Sequence, residues 1–363
     1  MFADRISDLD SSGIRKVFDL AQKLKNPVNL SIGQPDFDVP AELRKVAIDA
    51  IEDGFNSYTP TQGIPELHTA IRSQLLKKYN YNPDKVLVTS GVSGALLLCL
   101  QCLVQSGDEV LIPDPYFVMY KHLTNLCQAK PVYVDTYPDL TITAEKLEPY
   151  ITSKTKLLFL NTPSNPCGIV LEANNLKEIA SLAKKHNIII ITDEIYDEFL
   201  YDQKPVSIAQ YYDNVILLNG FSKSVAMTGW RVGYATGPEA IIEKMTMLQQ
   251  YSFVCAPSFA QKAAVKAIER GSENERQIYR GKRDRIYNGL KDVFDVVKPG
   301  GAFYIFPKVP DSSASDFVER AIENNLLIIP GSVFSEQDTH FRISYAAADV
   351  VIDRGIEILK SLV

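Results

Sequence analysis

Long apolar runs are missing from this chain. Its most hydrophobic stretches, "ALLLCL" and "NIIIIT", stop far short of the roughly 20 residues that a helix needs to cross a bilayer, so no membrane span is expected. The N-terminal "MFADRISDLDSS" has no apolar segment and does not read as a signal peptide. Cysteine is scarce: five residues (Cys99, Cys102, Cys127, Cys167 and Cys255), scattered over 363 positions, make no disulfide framework. Cys99 and Cys102 form one CxxC inside "GALLLCLQCLV", where the three-residue spacing puts both on one apolar helix face. Without a second CxxC or a histidine pair, this predicts packed thiols rather than zinc. A basic surplus is absent as well. The net charge of −6 argues against a nucleic-acid or anionic-membrane partner. No internal repeat, low-complexity tract or Pro/Ser-rich linker stands out. A soluble cytoplasmic protein is expected.

What is present is an ordinary globular composition, 46% hydrophobic and 23% charged, in a chain too long for one small core. Strand-like runs ("KVLVTS", "DEVLIP", "PVYVD", "KLLFLN", "NIIIITDE", "VILLNG", "RVGYATG") alternate with helix-length segments such as "GALLLCLQCLVQ", "YFVMYKHLTNLC" and "ANNLKEIASLAKKH". That alternation predicts an α/β fold with a mostly parallel sheet covered on both faces. From about Glu239 a long helical region follows. Short strands in "GAFYIFP", "LLIIPG" and "FRISYA" then mix with helices, which predicts a smaller α+β domain. The expected division is an N-terminal arm and part of the small domain over 1–45, a large domain over 46–275, and the C-terminal small domain over 276–363. The basic cluster Arg276, Arg280, Lys282, Arg283 and Arg285, interleaved with Glu273, Glu275 and Asp284, reads as a solvated helix face.

Chemistry-bearing residues collect where the strands end. "KVLVTS" runs into Gly91-Val92-Ser93-Gly94 and a helix, a turn whose free N–H groups and positive dipole end suit a phosphate. Phe117 follows "DEVLIP", Asn165 follows "KLLFLN", Asp193 and Tyr196 close "NIIIIT", and Ser222 and Lys223 close "VILLNG". Ligands of open α/β sheets gather at such carboxyl ends. Taken singly, each group has an ordinary explanation: a surface lysine, a helix cap, a turn, a core aromatic. Together they match the needs of one ligand. Pyridoxal phosphate requires an amine for a Schiff base, a carboxylate at its pyridine nitrogen, phosphate anchors, a flat face, and hydrogen bonds to its phenolic oxygen.

"GFSKSVAMTGWRVG" (Gly220 to Gly233) resembles the pyridoxal-phosphate lysine signature of the class I/II aminotransferases at every defining position. "LSIGQPDFDVP", "YTPTQGIPELHTAI", "NTPSNPCG", "TDEIY" and "FRISYA" are similarly placed and ordered, so the resemblance spans nearly the whole chain. It implies the aspartate-aminotransferase fold, fold type I of the pyridoxal-phosphate enzymes.

The resemblance also implies roles. Lys223 would bind the cofactor through its amine and then shuttle a proton between the substrate Cα and the cofactor. Asp193 would pair with the pyridine N–H. Tyr196 and Asn165 would donate to the phenolic oxygen, and Phe117 would stack on the ring. Val92, Ser93 and Arg231, with Ser222 nearby, would hold the phosphate, which Tyr58 would reach from the other subunit of a homodimer with shared active sites. Arg342 would clamp the substrate α-carboxylate as a fork on a planar anion. Gly33 would bring loop backbone close to the substrate, together with Phe117 and Asn165.

Three positions depart from the family pattern. Gly220 stands where some branches carry a phosphate-binding serine or threonine, and Cys167 replaces a common threonine. Ser12-Gly13-Ile14 replaces the Ser-x-Thr of the aspartate-preferring branch. The activity implied is transfer of the amino group of an L-amino acid (aspartate, aromatic or another neutral donor) to a 2-oxo acid such as 2-oxoglutarate. A lyase on the same fold, of the C–S or aminocyclopropane-carboxylate synthase-like kind, uses the same lysine. A non-catalytic regulator would need an added DNA-binding domain, for which the dozen residues before Ile14 leave no room.

Overall fold

The computed structural model describes residues 3–7 and 24–363. The Ser12-Gly13-Ile14 segment lies outside the described residues. Twelve strands are defined among those described: β1 Val28–Asn29, β2 Lys85–Thr89, β3 Glu109–Asp114, β4 Lys130–Asp135, β5 Thr155–Asn161, β6 Ile189–Asp193, β7 Val215–Gly220, β8 Gly233–Gly237, β9 Tyr304–Ile305, β10 Leu326–Leu327, β11 Ile329–Pro330 and β12 Phe341–Ser344.

Seven of them form one sheet in the order β2-β8-β7-β6-β5-β3-β4. All pairings are parallel except those of β8, which runs antiparallel to both β2 and β7. The two-residue side-chain period explains why the strands are apolar throughout. Val86, Val88, Leu158, Leu160, Ile190 and Leu217 enter the core under one face. Their neighbours Leu87, Leu157, Phe159, Ile191, Ile216 and Leu218 enter the core under the other. The helices Pro65–Tyr79, Ala173–His186 and Ser258–Arg270 contribute to the first core; Gly91–Leu103, Val118–Leu126 and Glu239–Gln250 contribute to the second. Cys99 is fully buried against Met245 in that second core, Sγ to Sδ 3.6 Å, as a packed thiol should be. Among the described residues no cluster of His, Cys, Asp and Glu could hold a metal, and no helix is long and apolar enough to cross a membrane.

A separate core gathers β9, β10 and β12 with the helices Glu273–Leu290, Ala314–Glu323 and Asp349–Ser361. β1 pairs in parallel with β10, and Leu30 just beyond it bridges two strands. Its N–H donates to Leu327 O at 2.9 Å, and its carbonyl accepts from Ser344 N at 2.7 Å. This pins the following loop, Ser31 to Gly33, beside Arg342 on β12.

The solvated-face reading of the basic cluster needs correction at two positions. Arg276, Arg280 and Arg285 do form ion pairs near the surface. Arg283 is 1% exposed and Lys282 only 9%. Helical periodicity puts both in the stripe of Tyr279, Ile286 and Leu290, which faces the core. Their charges are matched by loop residues at the edge of the core: Arg283 donates to the exposed Asp202 at 2.8 Å and to Pro299 O at 2.7 Å. Lys282 pairs with Asp36 and donates to Ala347 O at 2.6 Å. Mixed sign along a helix did not separate a solvated face from one that fastens loops.

Candidate active site

The carboxyl ends of β2, β3, β5, β6 and β7 open into a cavity of about 350 Å³, closed on its other side by the Ile32–Gln34 loop, Tyr304 and Arg342. Eleven of the twelve residues expected at the site line it: Gly33, Val92, Ser93, Phe117, Asn165, Asp193, Tyr196, Ser222, Lys223, Arg231 and Arg342. The twelfth, Tyr58, does not. It is 83% exposed and lines a different, shallow surface pocket with Phe55, Pro60 and Lys262.

Lys223 sits three residues past β7, and its Nζ donates to Gly33 O at 2.8 Å. Burial, aided by the nearby Arg342 and Arg231 cations, brings its amine down to about 8, against the opposing pull of Asp193. Asp193 is buried at the end of β6, where its Oδ2 accepts from Tyr120 at 2.9 Å and its Oδ1 from Ile195 N at 3.2 Å. Burial raises its carboxyl to about 6, with both hydrogen bonds holding it back. No lysine or arginine pairs with it directly among the described residues.

Two guanidinium groups mark the ends of the cavity. Arg231, in left-handed backbone at φ 55°, donates to Ser93 Oγ at 2.8 Å and to Thr228 O at 2.8 Å. The helix carrying Val92 and Ser93 begins directly at Gly91, so these residues form its first turn, and Ser90 makes no side-chain cap there. The first-turn N–H groups thus lack a side-chain cap, and Arg231 bonds Ser93 in the same turn, which is an anion-favouring arrangement. Arg342 is 1% exposed and meets no carboxylate among the described residues. Instead it donates to Ser31 O at 2.8 Å and to Asn165 Oδ1 at 3.0 Å, and lies over the rings of Tyr304 (4.7 Å) and Phe334 (4.5 Å). Its Nε finds no acceptor among the described residues.

The departures acquire physical content here. Gly220 opposes Gly233 in the β7–β8 ladder, and a Cβ on Gly220 would stand 2.8 Å from Gly233 Cα and 3.0 Å from Val232 O. A hydroxylated side chain has no room at that position. Ser222 does line the cavity. Cys167 is buried and faces a separate cavity of about 40 Å³ rather than this one.

Four site residues escaped the sequence reading. Asn161 accepts from Asn165 N at 2.7 Å and donates to Asp193 O at 2.8 Å, tying two strand exits together. It closes "KLLFLN" and pairs with Asp193 in the ladder, so the rule of looking at strand ends could have found it. Tyr120 stands one helical turn after Phe117, a spacing that places both on one face. Ser31 contributes only a carbonyl, and Tyr304 sits in an apolar run that reads as core; neither had a signal.

These features have counterparts in known proteins. The family model "Aminotransferase class I and II" matches residues 25–359. A probable aspartate aminotransferase of Methanocaldococcus jannaschii is 42% identical, covering the whole of both chains. The aromatic-amino-acid aminotransferase 2 of Thermococcus litoralis is 38% identical over 99% of this chain and 98% of its own. The solved structure of the Thermus thermophilus aspartate aminotransferase with maleate superposes with a TM-score of 0.96 at 30% identity, covering all of both chains.

Proposed function

The chain belongs to the class I and II aminotransferase family and is a pyridoxal-phosphate-dependent aminotransferase; from that premise we propose how its own residues work and what they act on. The residues fit the cofactor on three observations. Lys223 presents its amine to the cavity with its basicity lowered, Asp193 is a buried carboxyl group without a cationic partner, and Arg231 with Ser93 and an uncapped helix start makes an anion cradle. In the proposed arrangement Lys223 holds the cofactor covalently, Asp193 keeps its ring nitrogen protonated, and Asn165 and Tyr196 donate to its phenolic oxygen. Phe117 covers one ring face, while Val92, Ser93, Ser222 and Arg231 hold the phosphate. When bound, pyridoxal phosphate supplies an electron-poor ring that stabilises the charge left on the substrate Cα and carries the amino group between the two half-reactions.

The observation that carries the reading is the placement of Lys223 and Arg342 in one cavity, each fastened to the same loop. Gly33 O takes Lys223 Nζ at 2.8 Å, and Ser31 O takes Arg342 Nη2 at 2.8 Å. Arg342 anchors the substrate α-carboxylate by charge-assisted hydrogen bonds, which leaves the Cα proton toward the lysine end. Lys223 Nζ, with its lowered basicity, takes that proton at neutral pH and returns it. Donors are aspartate, aromatic or other neutral L-amino acids, and the acceptor is a 2-oxo acid such as 2-oxoglutarate. The working unit is a cytoplasmic homodimer in which Tyr58 reaches the phosphate of the neighbouring subunit. We assign 46–275 to the cofactor-binding body, and 1–45 with 276–363 to the smaller part.

A panel of L-amino acids against several 2-oxo acids tests this. Each productive pair should yield a new amino acid only when the acceptor is present. Pyruvate and ammonia released without an acceptor would instead assign the chain to the lyases.

A further inference from the structure

Tyr304 touches more of this site than any expected role accounts for. It stands on β9, 1% exposed, with its hydroxyl 2.9 Å from that of Tyr196. Its ring lies under the Arg342 guanidinium at 4.7 Å and edge-on to Tyr196 at 5.5 Å and 86°. Its oxygen packs against Gly33 so tightly that a Cβ there would stand 2.6 Å from it. Gly33 is also the residue whose carbonyl holds Lys223.

Two phenols joined by one hydrogen bond share two hydrogens, and only one lies between the oxygens. Had Tyr196 been the donor, the Tyr304 hydrogen would need another acceptor. Among the described residues neither hydroxyl has another partner, but the Tyr304 oxygen is hemmed in by Gly33, where an added Cβ would stand 2.6 Å from it. A buried hydroxyl left without an acceptor is costly. With Tyr304 as donor, its hydrogen is satisfied by Tyr196, and the Tyr196 hydrogen is turned toward the cavity that both residues line. The Arg342 cation over the Tyr304 face favours the same direction, since positive charge beside a phenol strengthens it as a donor.

We propose that Tyr304 is a positioning residue that gives its hydroxyl hydrogen to Tyr196, so that Tyr196 in turn gives its own to the phenolic oxygen of pyridoxal phosphate. This rests on the role proposed above for Tyr196. A donor polarised by a donor behind it gives a stronger hydrogen bond. Tyr304 also acts by a second, separable part: its ring flanks Arg342 and sets where the carboxylate clamp lies.

The test is a spectrophotometric titration of the visible band of the Lys223-bound cofactor, alongside steady-state kinetics. A hydrogen bond to the phenolic oxygen lowers the pH at which this band changes. Tyr196→Phe should therefore raise it. Tyr304→Phe, which removes only the hydroxyl, should raise it too, by up to about twofold in proton affinity and less than Tyr196→Phe, because only the polarisation of that bond is lost. In the Tyr196→Phe background Tyr304→Phe should add nothing, because it acts through that residue. KM for α-carboxylate substrates should stay within about twofold in Tyr304→Phe and rise in Tyr304→Leu, which removes the ring. A band midpoint that is unmoved or lowered by Tyr304→Phe, while Tyr196→Phe raises it, overturns the proposal alone. An unmoved midpoint in Tyr196→Phe overturns the role of Tyr196 and the proposal with it.

Discussion

Arg342 Nη1 donates to Asn165 Oδ1 across 3.0 Å, and this bond fixes which way the asparagine amide is turned. A guanidinium can only donate, so the atom facing it is the amide oxygen, and the NH₂ is left as a donor at the cavity wall. Residues 177 positions apart thus set each other's function: the asparagine braces the arginine, and the arginine orients the asparagine.

The pair makes an asymmetric prediction. Asn165→Ala should raise KM for amino and oxo acids moderately, by loosening Arg342. Asn165→Asp should raise it more, because a carboxylate at that position pairs with Arg342 and competes with the substrate's own. Steady-state kinetics of the two variants decide the order, and equal KM values would mean that Arg342 does not bind the substrate carboxylate.

Lys223 carries a pH prediction. Its amine is brought down to about 8, so roughly a tenth is neutral at pH 7, against about three parts in ten thousand for an ordinary lysine. When pyridoxal phosphate is added to cofactor-free protein, the rate of appearance of the visible band should climb with pH and level off above about 8. A climb that continues towards 10.5 would show an unperturbed lysine. Borohydride should then fix the cofactor on Lys223, and Lys223→Ala should lose turnover by many orders of magnitude, losing nucleophile and acid–base together.

The two cavity arginines should separate cleanly. Arg342→Ala removes hydrogen bonds to a charged group used by every substrate, which corresponds to a KM higher by on the order of ten- to a hundredfold. Arg231→Ala, at the Ser93 end, should leave KM for amino acids nearly unchanged at saturating cofactor and weaken cofactor retention instead. Dialysis followed by absorbance of the bound cofactor reads the second effect.

Tyr58 provides the test of a shared site. It is 83% exposed and does not line its own chain's cavity, so a catalytic defect in Tyr58→Ala would be unexplained within one chain. In the proposed dimer, mixing Tyr58→Ala with Lys223→Ala subunits would give hybrids with one site carrying both defects and one carrying neither. Activity should recover to about half of wild type per hybrid dimer. No recovery despite demonstrated subunit exchange would confine each site to a single chain.

Gly220→Ser should not restore a phosphate anchor. The added Cβ would stand 2.8 Å from Gly233 Cα, a backbone atom of a buried ladder that cannot move aside. Overpacking of this kind costs about 1–3 kcal/mol, so the variant should unfold at lower temperature, with no gain in cofactor affinity. Thermal melting and cofactor titration check both halves.

Much of this was legible in the sequence because strand ends are marked twice, by an apolar run and by the polar residue that breaks it. Asp193, Lys223 and Asn165 were found that way, and the seven long strands lie where alternation placed them. Roles played by carbonyls were invisible. Ser31 and Gly33 act through backbone oxygens, which every residue has, so composition cannot distinguish them. Tyr304 was hidden for the opposite reason: among Phe303, Ile305 and Phe306 an aromatic is expected to be core, and most of its surface is. Lys282 and Arg283 misled because a helix face is defined by what packs on it, and their partners, Asp36, Asp202, Pro299 and Ala347, are remote in sequence.

The facing glycines of β7 and β8 also bear on which sequences this protein can reach by single steps. A Cβ on Gly220 would strike Gly233, and one on Gly233 would lie 2.8 Å from Gly91 C and Val92 N, so each position is held empty by the backbone of the next element. No one substitution along that line can succeed before the others have moved. A hydroxyl before the lysine is therefore reached in this chain only through a less stable intermediate. A side chain reaching further into the cavity is accommodated sooner at Ser222, where the cavity wall is already open.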